Sequence, residues 1–123
     1  MKVNLNAKNI CFIEGTVCKM TKGTDKNGSL LKFFLIHANT TKPNMDLNTK
    51  AFYMKTPVRF YGRSADRVAK EIKNGDIVEV EGRLSHSDGS DTWKIKGVHA
   101  AKSGSIIHET NLFVDLEETE INA

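Results

Sequence analysis

A chain of 123 residues, 39% hydrophobic and 27% charged, is long enough for one domain with a real core, and no apolar run approaches the roughly 18 residues of a membrane span. The opening MKVNLNAKN lacks the apolar segment of a secretory signal, so a cytoplasmic location is expected. Net charge is only +3, yet residues 1–101 hold 17 Lys and Arg against 10 Asp and Glu while 102–123 hold one Lys against five acids, so a basic body that attracts polyanions carries an acidic end.

The first predicted strand, residues 9–20 (NICFIEGTVCKM), is β-rich and apolar with Gly15 in its middle, where a bulge or sharp bend is expected. Cys11 and Cys18 lie seven apart on it with no His or second Cys pair at metal-ligand spacing, which reads as buried free thiols. Residues 21–29 (TKGTDKNGS) read as a hairpin connection with basic decoration. In the second strand, 30–39, Leu31, Phe33 and Leu35 alternate with Lys32, Phe34 and Ile36, so both faces are partly covered and Phe34 fits a core or a binding face equally. Residues 40–49, polar with Pro43, form a loop.

The third strand, KAFYMKTPVRFYG at 50–62, is the most informative segment. Alternation puts Phe52, Met54, Val58 and Phe60 on one face, a core, and Tyr53, Lys55, Arg59 and Tyr61 on the other. Two hydroxylated aromatics interleaved with two cations suit a stacked base beside a phosphate, and hence a nucleic acid with unpaired bases. A short helix follows over 64–74, with Ser64 as N-cap, Asp66 in the first turn, an apolar stripe of Ala65, Val68, Ala69 and Ile72, and Gly75 as its stop. Ile77, Val78, Val80 and Leu84 mark a fourth strand, 85–91 a turn-rich loop, and 92–101 (TWKIKGVHAA) a fifth. The four histidines, His37, His86, His99 and His108, are too scattered and too far from acids to support a catalytic or metal site.

Five strands with one helix between the third and fourth is the element order of an OB-fold, an all-β Greek-key barrel. The chain resembles the bacterial-type single-stranded DNA-binding proteins over residues 9–101. The resemblance rests on the Asn-led first strand ending at Gly15, Phe33-Phe34-Leu35, the RFYGRSAD corner from Arg59 to Asp66, and GDIVEVEGRL from Gly75 to Leu84. It implies base stacking at Tyr61 and places Trp93 near an aromatic position of the last strand. Where the family often has a Trp early in the third strand this chain has Lys55, with Tyr53 two residues before it, and the family's Trp after the second strand is absent at Asn39 and Thr40.

The expected function is therefore sequence-nonspecific binding of single-stranded DNA in replication, recombination or repair, with no chemistry and no cofactor. Bases would stack on Tyr53, Tyr61 and Trp93, with Phe34 as a further candidate, while Lys32, Lys55, Arg59, Lys94 and Lys96 take the phosphates. A single-stranded RNA-binding module and a primosome-like adaptor are the alternatives on the same fold. No nucleophile with its base, metal cluster or phosphate-binding glycine loop points to an enzyme. Residues 102–123 form an acidic extension in which Ile106, Ile107, Leu112, Phe113, Val114 and Leu116 would pack on the barrel or a second subunit; the family's terminal Phe and flexible linker are missing, which suggests a phage, plasmid or accessory relative. A homo-oligomer, dimer or tetramer, is implied by the resemblance, with the first strand or residues 1–6, where Val3 and Leu5 alternate, as the interface.

Overall fold

A computed structural model of the protein describes residues 1–38, 53–86 and 92–103. Its elements are β1 (Cys11–Asp25), β2 (Gly28–Ala38), β3 (Tyr53–Tyr61), α1 (Gly62–Glu71), β4 (Ile77–His86) and β5 (Trp93–Lys102). The strands close into a barrel in the order β1-β2-β3-β5-β4, antiparallel throughout except where β3 meets β5. The expected five-stranded barrel with its helix between the third and fourth strands is the fold. Phe52, Asn39, Thr40, the loops at 40–49 and 87–91, His108 and the extension from 104 onward lie outside the described residues.

Strand alternation builds the core. Val17, Leu31, Phe33, Leu35, Val58, Phe60, Val78, Val80 and Ile95 point inward and are buried, with the Phe33 and Phe60 rings stacked at 6.1 Å between centroids. α1 contributes Ala65, Val68 and Ile72 to the same cluster, the apolar stripe its spacing predicts.

Several expectations shift. Pairing of β1 with β2 runs out to Asp25 opposite Gly28, so most of 21–29 is ladder and only Lys26 and Asn27 turn the chain, helped by the Asn27 N–H donating to Asp25 Oδ1 at 2.8 Å. The bulge in β1 falls between Cys18 and Thr21, with Lys19 at φ 52, rather than at Gly15. Gly15 serves close approach instead: a Cβ there would sit 2.8 Å from the Ile36 carbonyl oxygen. The helix begins two residues earlier than predicted. Tyr61 is its N-cap without a side-chain cap, so Ser64 does not cap and Asp66 lies past the first turn; burial of the stripe against the barrel outweighs a local capping preference. It ends at Glu71, with the Ile72 N–H donating to Val68 O at 3.0 Å, and Gly75 (φ 92) shapes the turn into β4.

Met54, assigned to the core face by alternation, is exposed, and so is Leu84 of the fourth strand. Residues 1–10 form no strand; Val3 and Leu5 are exposed and Asn4 closes a local turn on Asn6 and Ala7. Asn9 holds this segment to β4: its amide donates to Leu84 O and accepts from Leu84 N–H, both at 3.0 Å.

Both cysteines are free, Cys18 buried and Cys11 only half-buried. Burial pushes the Cys18 thiol above its ordinary range, partly offset by the charges of Lys55 and Lys19. The native state therefore keeps this proton to higher pH than the unfolded chain. Its contribution to stability is intact below the ordinary thiol value of about 8.5 and is lost as pH rises through the folded value. Urea denaturation across that window should show a loss that Cys18→Ala lacks; identical profiles would count against it.

Candidate nucleic-acid interface

The outward face of β2, β3 and β5 gathers most of the candidate residues, and strand register sets their ranks. Leu30 faces Tyr61, Lys32 faces Arg59, Phe34 faces Pro57, Ile36 faces Lys55, and Ala38 faces Tyr53. Across the parallel seam Arg59 faces Lys96, and on the next strand Lys96 faces Arg83. Four cations, Lys32, Arg59, Lys96 and Arg83, thus stand in one rank across four neighbouring strands. Neighbouring strands are spaced by about 4.8 Å. None of the four makes an ion pair with a described residue.

Like charges directly opposite one another on a sheet are destabilising. Three such pairs in succession are a standing repulsion that an external anion relieves. Lys96 partly escapes it by placing its ammonium over the Tyr61 ring, 5.5 Å from the centroid. Tyr61 itself is half-buried at the end of β3, held where the strand turns into α1.

Tyr53, Lys55, Phe34, Lys32, Arg59, Tyr61 and Lys96 share this outward face. Phe34 is half-buried, between Cys18 on β1 and Pro57 on β3. Lys94 and Trp93 are placed differently. Lys94 is only 7% exposed, and its ammonium donates to the carbonyl oxygen of His86 at 3.2 Å. Trp93, 54% exposed, has the inward parity of Ile95 but lies beyond the core, its ring edge-on to His86 at 3.6 Å between centroids.

Sequence reasoning missed Arg83. A bulge in β5, where Glu81 faces His99 but Gly82 faces Gly97, sets the register that brings Arg83 opposite Lys96, and bulges are invisible to alternation. The available signal was the change of sign along one face of β4, Glu79 and Glu81 followed by Arg83. The outward face of β1 and β4 is correspondingly acidic: Glu14 faces Glu79, and Phe12 faces Glu81. Among the described residues no group of His, Cys, Asp and Glu could hold a metal ion, and no helix is long and apolar enough to cross a membrane.

No protein-family model and no curated protein matches the chain. Among solved structures it is similar to the small single-stranded DNA-binding protein of Streptomyces coelicolor, at 19% identity and a TM-score of 0.61 over 79% of this chain and 95% of that one. It is similar also to the second single-stranded DNA-binding protein of Mycobacterium smegmatis, at 17% identity and a TM-score of 0.61 over 79% of this chain and 90% of that one. A third, the SSB domain of a Synechococcus sp. protein, aligns at 14% identity and a TM-score of 0.60 over 79% of this chain and 98% of that one. At such identities the likeness is one of fold, and the chain is an OB-fold barrel built on the plan of these single-stranded DNA-binding proteins.

Proposed function

We propose that the protein binds single-stranded DNA without regard to sequence and covers exposed strands during replication, recombination or repair. The observation that carries this reading is the rank of Lys32, Arg59 and Lys96 beside Tyr61 on one outward face. Phosphates take the place of counterions along the cations, and a base stacks on Tyr61 once Lys96 exchanges the ring for a phosphate. Phe34, Tyr53 and Lys55 extend the same face, whereas Trp93, the first residue of β5, has the opposite parity to Lys96 and stands off it. Every base has a stacking face, so affinity is nearly indifferent to sequence. Oligomerisation and contacts to replication or recombination proteins belong to the same reading.

The test is anisotropy of labelled oligo-dT, the matching duplex and an RNA of the same base order at two salt concentrations. Tight binding of the single-stranded DNA is expected, with a log-log salt slope near −2 for three phosphates at about −0.7 each. Equal affinity for duplex would refute the reading, and preference for the RNA would reassign the ligand.

A further inference from the structure

Resting on that reading, we propose that the nucleic-acid track continues past β5, over β4 at Arg83, and into a groove between β4 and residues 5–10, which takes one further nucleotide. The groove is lined by residues 5–10 together with Arg83. Arg83 is therefore both the last cation of the rank and a wall of the groove, so track and groove are continuous.

Three features give the groove the chemistry of a nucleotide site. Lys8 supplies a second exposed cation beside Arg83, suited to a backbone phosphate. Ile10, 60% exposed, and Leu5, 94% exposed, offer apolar surface of the kind a base face covers. The paired hydrogen bonds of Asn9 with Leu84 fix the segment against β4, so this wall is in place before any ligand arrives.

Charge also limits the path. On the same face of β4, Glu81 and Glu79 lie behind Arg83, and Glu14 on the neighbouring β1 stands opposite Glu79. A polyanion drifting that way meets carboxylates, whereas toward residues 5–10 it meets Lys8. The strand leaves the barrel at the level of Arg83.

The experiment compares the wild type, Arg59→Ala and Lys8→Ala on oligo-dT of about 5 and about 15 nucleotides, lengths within the range one OB-fold covers. Arg59→Ala should weaken both. Lys8→Ala should bind the short oligonucleotide as wild type does but lose several-fold on the long one, with a salt slope shallower by about 0.7 for one phosphate contact. Unchanged melting temperature checks the fold, and the Ala7 and Ile10 methyl resonances should shift with the long oligonucleotide and not the short. Lys8→Ala unchanged on both lengths, with Arg59→Ala impaired, overturns the extension and leaves the face intact. If Lys8→Ala instead changes the protein's mass in light scattering without changing affinity, a second copy occupies the groove and the proposal fails. A wild type that binds neither oligonucleotide ends both readings.

Discussion

Gly97→Ala is expected to destabilise the protein by about 2–3 kcal/mol or more, at the upper end for overpacking a filled core. A Cβ on Gly97 falls inside contact distance of the Phe60 ring carbons. That ring has no room to retreat, being fully buried and stacked on Phe33. The strain must pass into the backbone of β5, where the next residue back is Lys96. A loss of this size is a large share of the roughly 5–15 kcal/mol that holds a domain together. At about 4 °C per kcal/mol for a chain between the 100- and 150-residue size classes, the melting temperature should fall by about ten degrees. Gly23→Ala is the control, since a Cβ there meets nothing within 4 Å. Equal melting temperatures for the two variants would show that the barrel interior yields more easily than its packing implies.

The second large effect is on binding. Tyr61→Ala should weaken affinity for oligo-dT by roughly fivefold to over a hundredfold, the range set by about 1–3 kcal/mol for one stacked aromatic. Tyr61→Phe should keep most of the affinity, because the ring and not the hydroxyl meets the base. Lys96 complicates the free state, since its ammonium lies over the ring. Lys96→Ala both removes a phosphate contact and uncovers the ring, so its loss should be smaller than that of Arg59→Ala. Affinity of Tyr61→Ala equal to wild type at matched salt would remove Tyr61 from the interface.

Sequence pattern carried the order and number of strands because each alternating run is internally consistent, as at Leu31, Phe33 and Leu35 or Val78 and Val80. It failed where neighbouring strands decide. Met54 and Leu84 have the right parity for the core but are exposed. Lys94 reads as an exposed strand cation, yet it is buried with its ammonium on a carbonyl that only the β4–β5 register supplies. The face of Tyr53, Lys55, Arg59 and Tyr61 was legible within one strand. Its alignment with Lys32, Lys96 and Arg83 is a property of three registers and one bulge, which no single segment encodes.

Asn9 has a consequence beyond holding the N-terminal segment. Pairing of β1 with β4 stops at Cys11 opposite Gly82, although β4 continues to His86. Past that point β4 would present an open edge, able to accept a strand from another molecule. By satisfying both backbone groups of Leu84, the Asn9 amide occupies that edge as a one-residue substitute for a sixth strand. Among the described residues, the Asn9 side chain thus takes up an edge position that would otherwise be free to pair with another chain.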